Sequence, residues 1–158
     1  MKYLTLESYD THQPTNCIKL SHSDAKCFDV DKKDRVIIGG KNEILIINLN
    51  ENNSEQLLKS KSIKRWGISH VKWSTTNKDI FCYVVYDKAH IAQIKDCIEK
   101  LYVLSNHNRQ ISDVDWSKVD PNIVLTASSD TFINIWDIRT NAKPTIVLKS
   151  VGAYFILF

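Results

Sequence analysis

No two cysteines in this chain stand at metal-binding or redox spacing. Four are present, Cys17, Cys27, Cys82 and Cys97, with no CxxC pair among them, which argues against a zinc module and against a dithiol centre. Cys27 and Cys82 fall in strand-like runs, where a buried reduced thiol is the plain reading. The set fits a cytosolic, reducing compartment. Long apolar runs are also missing. No stretch approaches the ~20 residues of a membrane helix, and the closing VGAYFILF is short, so direct membrane insertion is not expected. The opening MKYLTLESYD carries one basic residue and an apolar run too short for a signal peptide. Strong charge of either sign is lacking: the net charge is +3, with 25% charged and 43% hydrophobic residues. That is ordinary for a globular domain and too little to argue for nucleic acid. Interleaving of aromatic and basic residues, as single-strand binders use, is absent. A long amphipathic helix is absent too. The one helical alternative is HIAQIKDCIEK, His90–Lys100, and an internal repeat makes its first half a strand instead.

What the chain does have is a run from His107 to Asp137, HNRQISDVDWSKVDPNIVLTASSDTFINIWD. A histidine in a polar loop is followed by ISDVDW, a Pro/Asn turn, IVLTASS, a tight turn at Asp130 and FINIWD. Ile, Val, Thr, Phe and Trp dominate these runs, as strands require. The expected strands are Ile111–Trp116, Ile123–Ser128, Phe132–Asp137 and Thr145–Leu148. Pro121 and Pro144 stand between strands, where a missing N–H does no harm. Sliding the chain on itself aligns ISHVKW, Ile68–Trp73, with ISDVDW at an offset of 43 residues, within the ~40–45 residue period of four-stranded propeller blades. The offset carries Asp130 onto Asp87, Thr126 onto Tyr83, Trp136 onto Gln93 and His107 onto Lys64. The middle unit thus keeps the turn and loses the polar residues. Upstream, AKCFDV, RVIIGG and EILIINL read as three strands of a further unit, and ENNSE, Glu51–Glu55, as a connecting loop. Two basic groups, Lys59, Lys61, Lys64 and Arg65, and Lys26, Lys32, Lys33 and Arg35 mixed with Asp29, Asp31 and Asp34, read as solvated loops rather than phosphate sites.

Four residues of the best unit are candidates for a structural polar network. Trp136 can donate its indole N–H to Thr126, Thr126 its hydroxyl to one nitrogen of His107, and the other nitrogen of His107 to Asp130. The physical reason is satisfaction, because a buried polar group without a partner costs free energy. The same histidine, aspartate and threonine superficially suggest an assisted nucleophile, but Trp136 already takes up the hydroxyl, so no catalytic residue is assigned. A metal held by His107 with Asp113 and Asp115 lacks a second histidine at useful spacing, so no metal site and no cofactor are expected. His70 and His90 read as packed or solvated, and His12 and His22 as part of an N-terminal loop.

The His–Thr–Asp–Trp pattern, with the order of strands around it, resembles a WD repeat, one blade of a WD40 β-propeller. ISDVDWSKVDPNIVLTASSDTFINIWDIRTNAKPTIVL, together with RWGISHVKW, is similar to the WD repeat-containing protein 59 family, the WD-repeat subunits of the SEA/GATOR complex. The resemblance covers roughly Ala25 to Ala153. It implies an all-β fold: a partial WD40 propeller of about three four-stranded blades, open and incomplete against a family ring of about seven. The units expected are a loop with a possible outer strand at 1–24, a degenerate unit at 25–60, a second at 61–104, the best-formed repeat at 105–148 and the truncated start of a further blade at 149–158. The family's Gly-His loop position is Asn106-His107 here. Its RWD-like domain and RING-like end have no counterpart, and a truncated product or incomplete gene model is the expectation. The function implied is a non-enzymatic scaffold that contacts other SEA/GATOR subunits at the lysosomal or vacuolar surface and promotes amino-acid-dependent TOR signalling, with no nucleic-acid partner. The alternative is a substrate receptor of a cullin-RING ubiquitin ligase, docking its adaptor through Trp136, Asp137 and Arg139 of the W-D-x-R ending.

Overall fold

The computed structural model describes residues 24–41, 43–49, 55–59, 63–95, 97–140 and 143–149. They form three four-stranded antiparallel sheets, each in simple chain order. The first holds β1 (Ala25–Val30), β2 (Arg35–Gly40), β3 (Glu43–Asn48) and β4 (Glu55–Lys59). A single helical turn, α1 (Ile63–Trp66), leads to the second: β5 (His70–Trp73), β6 (Ile80–Val85), β7 (Lys88–Ile94) and β8 (Ile98–Ser105). The third holds β9 (Ile111–Trp116), β10 (Ile123–Ser128), β11 (Phe132–Asp137) and β12 (Pro144–Lys149). The chain is therefore all-β, with three blades of an open WD40-type propeller.

Alternation along the strands explains why the sheets stack. In β6, Phe81, Tyr83 and Val85 turn to the first sheet, where they join Ile37, Ile44, Ile46, Ile68 and Val71. The intervening Cys82 and Val84 turn to the third sheet and meet Ile111, Val114, Trp116, Val124 and Trp136. Successive side chains of a strand point to opposite faces, so one strand feeds two cores. Full burial of each large side chain contributes roughly 1.5–3 kcal/mol. Gly39 permits the closest approach: a Cβ there would stand 2.6 Å from both Cys27 Sγ and Ile68 Cγ2.

Hydrogen bonds sew neighbouring sheets together at nearly the repeat spacing. The Asp29 carboxylate accepts the backbone N–H of Trp73 at 2.8 Å. The Trp116 indole donates to the Lys72 carbonyl at 3.2 Å. Thr75 donates to the Ser117 carbonyl at 2.9 Å, and Arg35 reaches the Lys78 carbonyl.

Several expectations shift in detail. The first half of His90–Lys100 is strand, in β7, as the repeat offset required, and its end opens β8 rather than a helix. Glu55, read as loop, begins β4. ISHVKW supplies a strand only from His70. The outer strand of the third sheet runs from Pro144 to Lys149, a residue longer at each end. Proline is tolerated there because the first residue of an outer strand has no ladder bond to lose. Lys59 ends β4 and Lys64 and Arg65 lie in α1 rather than in loop. His12, His22, Cys17, Lys61, residues 51–54 and the segment 150–158 lie outside the described residues. Among the described residues no helix is long and apolar enough to cross a membrane.

Candidate functional site

The third sheet gathers the polar residues. β10 and β11 pair so that Thr126 stands opposite Asn134 and Val124 opposite Trp136. Thr126 and Trp136 thus share one face, turned to the second sheet. The loop between β8 and β9 lowers His107 onto that face, and the β10–β11 turn brings Asp130 to its outer edge. The Trp136 indole donates to Thr126 Oγ1 at 2.8 Å. Thr126 Oγ1 lies 2.8 Å from His107 Nε2, and His107 Nδ1 lies 3.0 Å from Asp130 Oδ2. Thr126 already accepts from the indole, so its hydroxyl proton goes to Nε2; His107 then carries its own proton on Nδ1 and donates it to Asp130. Thr126 and Trp136 are fully buried and His107 nearly so.

The network is wider than those four. Asn134 Nδ2 also approaches His107 Nε2, at 3.2 Å, from full burial, and its Oδ1 has no partner among the described residues. Sequence reasoning passed over it, although its place opposite Thr126 across the hairpin was the available signal. Asp130 accepts further bonds from the backbone N–H groups of Asn108 and Phe132, each at 3.0 Å. Burial pushes the Asp130 carboxyl up, but those backbone donors and His107 together hold it below the usual carboxylate range. Ser128 closes the loop from its side, donating to the Arg109 carbonyl at 3.1 Å.

These groups have the elements of an acid/base relay, closed off by burial among the described residues. The hydroxyl is fully buried and spent between an indole and an imidazole. Asp113 and Asp115, on β9, are half-buried, and among the described residues no cluster of three metal-ligating side chains occurs.

The W-D-x-R ending separates into unlike parts. Trp136 is sealed inside the sheet. Arg139 is exposed, but its guanidinium closes on Asp137, with Nε 2.9 Å from Oδ1 and Nη2 2.6 Å from Oδ2. That hydrogen bonding lowers the Asp137 carboxyl to about 2. Asp120 lies 3.8 Å from the same guanidinium.

The second sheet solves the same position differently. Tyr83 replaces the threonine and stacks on His90, with centroids 4.8 Å apart. Its hydroxyl and His90 Nδ1 are buried without partners among the described residues. Burial, with the charges of Lys100 and Lys88, lowers His90 to about 4. Burial likewise lowers His70, against the opposing charge of Asp113. Cys27 is pushed up to about 11 and Cys82 is raised, both by burial; such thiols are inert at neutral pH. Where the third sheet has its histidine loop, the second has an aromatic pair: Trp66 stacks on Tyr86 at 4.4 Å and 16°. Tyr86 holds a φ of 56°, in the left-handed region that costs a bulky residue roughly 1–3 kcal/mol. Stacking returns about 0.5–1.5 kcal/mol of that. Nothing in the sequence flagged this pair, because the strained turn is legible only in the backbone.

No protein-family model matches the chain. Individual proteins do. The GATOR2 complex protein WDR59 of Gallus gallus is 34% identical over 123 residues, covering 73% of this chain and 12% of that protein. A WD repeat-containing protein of Dictyostelium discoideum is 30% identical over 130 residues, 77% of this chain and 6% of its own length. WDR59 of Homo sapiens is 29% identical over 139 residues, 85% of this chain and 14% of that protein. The chain therefore spans a small part of the length of the relatives it matches.

Proposed function

For a chain that is WDR59-like across its WD-repeat sheets, we propose the role of a non-enzymatic scaffold in a SEA/GATOR-type complex. Its partners are other protein subunits of that complex. It carries no cofactor, binds no nucleic acid and does not itself insert into a membrane. Through the complex it works on the cytoplasmic face of the lysosome or vacuole and promotes amino-acid-dependent TOR signalling. The likeness to WDR59 carries this reading. The geometry agrees with it: the buried relay His107–Thr126–Trp136 is consumed by its own hydrogen bonds, as expected of groups that fix a loop to a hairpin. We assign His107, Thr126, Asp130 and Trp136 that structural role. Rigid sheets presenting loops suit recognition rather than turnover.

Affinity capture from cells of the tagged chain tests the proposal. Recovery of SEA/GATOR subunits is the expected result. Recovery of a cullin adaptor in their place would transfer the function to the ligase-receptor alternative, and recovery of nucleic acid would overturn both. The alternative draws little from the geometry, since Trp136 is inaccessible and Asp137 occupies the Arg139 fork.

A further inference from the structure

One end of the second sheet carries a stacked aromatic pair, Trp66 half exposed and Tyr86 partly buried, that the network above does not use. α1 delivers Trp66 to this end and the β6–β7 turn delivers Tyr86. Trp66 is 50% exposed, whereas Trp73, Trp116 and Trp136, the other tryptophans, are 6% exposed or less. Arg65 lays its guanidinium 5.1 Å from the centre of the Trp66 ring. Gly67 follows, with φ 75°; a Cβ there would stand 2.9 Å from the ammonium of Lys26 and 3.3 Å from the Lys41 backbone. Arg65 of α1 thus stands over the Trp66 ring, and Lys26 of β1 reaches the next residue, Gly67. Neither Arg65 nor Lys26 is engaged in an ion pair among the described residues. The first position of a two-residue turn ordinarily goes to glycine when φ is positive. A tyrosine held there against its backbone preference is a chain spending stability to keep one ring in place.

We propose that Trp66, Tyr86, Arg65 and Lys26 form a docking site for an acidic peptide segment bearing an aromatic or large apolar side chain, contributed by a protein partner. With Tyr86 stacked on it and Arg65 over it, Trp66 offers its apolar ring edge, and pre-stacking removes the ordering cost of two large side chains. Arg65 already fills the cationic place over the ring face, so a second cation is repelled, while a carboxylate completes the fork of the guanidinium. Aromatic and arginine side chains grouped in this way are the usual anchors of protein interfaces. This deepens the scaffold reading and rests on it only for the partner being a protein.

The test is fluorescence anisotropy of the whole chain against a labelled acidic heptapeptide with one central phenylalanine. Controls are the same peptide with lysine for each acid and a single-stranded oligothymidylate. The acidic peptide is expected to bind in preference to both, and to shield Trp66, the one exposed tryptophan, from acrylamide quenching. Arg65→Ala and Trp66→Ala are each expected to weaken binding about tenfold. Neither side chain lies in the apolar cores, so both variants should keep the wild-type circular dichroism. Equal binding of the lysine peptide, tighter binding of the oligonucleotide, or unchanged affinity in folded Arg65→Ala would each overturn the site. Complex capture and this titration are separate readouts. Loss of one with retention of the other tells a failed site from a failed scaffold assignment.

Discussion

Thr126→Val is the sharpest perturbation available to the polar network. Valine keeps the shape of threonine and removes its hydroxyl, so packing is conserved while two buried groups lose a partner. The Trp136 N–H, in a fully buried ring, has no other acceptor among its recorded bonds. His107 Nε2 loses the 2.8 Å bond but keeps Asn134 Nδ2 at 3.2 Å. One donor is therefore orphaned outright and one acceptor only in part. A buried unsatisfied group costs about 1–3 kcal/mol, and the residual Asn134 contact keeps the total near the middle of that range, about 2 kcal/mol. For a chain of this size that is a fall in melting temperature of roughly 4–8 °C. Thermal unfolding followed by circular dichroism reads it, with Thr126→Ser as the control that retains the hydroxyl. A valine variant that melts with the wild type would refute the reasoning, because it would mean that the indole and imidazole find water as readily as they found Thr126.

Mild acid should weaken the fold through a buried histidine. His90 is lowered to about 4 in the folded chain from an ordinary 6.5, so its neutral form contributes stability that is complete above about pH 6.5 and is lost as pH falls toward 4; the unfolding free energy from urea titration should drop by about 1–2 kcal/mol between pH 7 and pH 5, and His90→Phe should flatten that slope. Arg139→Ala should leave the melting temperature unchanged, since Arg139 is exposed and such surface pairs contribute little, and should leave recovery of SEA/GATOR subunits intact; if it removes them, the W-D-x-R ending belongs to the interface. Phe28 at 72%, Val30 at 49% and Ile146 at 51% exposure lie on the first and third sheets, and apolar surface of this kind favours association. Size-exclusion chromatography should therefore show elution that shifts with concentration, and a sharp monomer peak across a hundredfold dilution would count against it.

The readable part of the fold was the part in which local preference and burial agree. β9, β10 and β11 fall where alternation and β-branched content placed them, because each buries one regular face. β8 was harder. Its sequence IEKLYVLS exposes most of its residues, and the offset of 43 argued for strand only over the first half of His90–Lys100, which is β7. β4 was invisible for a related reason: EQLLK is short and follows a polar stretch. At the site, the four network residues could be named because each supplies a donor or acceptor the others need, and the structure places them within hydrogen-bond reach. Asn134 escaped since a strand-centre amide signals nothing until its cross-strand neighbour is known. Trp66 and Tyr86, twenty residues apart, meet only after β5 has paired with β6.

The way the three sheets share their interior has a dynamic consequence. The middle sheet spends both faces on its neighbours: Phe81 and Tyr83 on one side, Cys82 and Val84 on the other. The flanking sheets each have one face so engaged among the described residues. Opening the middle sheet therefore disrupts two apolar cores together with the Asp29–Trp73 and Lys72–Trp116 bonds, whereas opening a flanking sheet disrupts one. Fluctuations should accordingly run inward from the flanks, as in an array coupled only through nearest neighbours. The amides of β6 and β7, which sit in the unit that lost the repeat's polar signature, become the slowest to exchange. In this chain the sequence-degenerate unit anchors the other two, and the well-formed repeat depends on it.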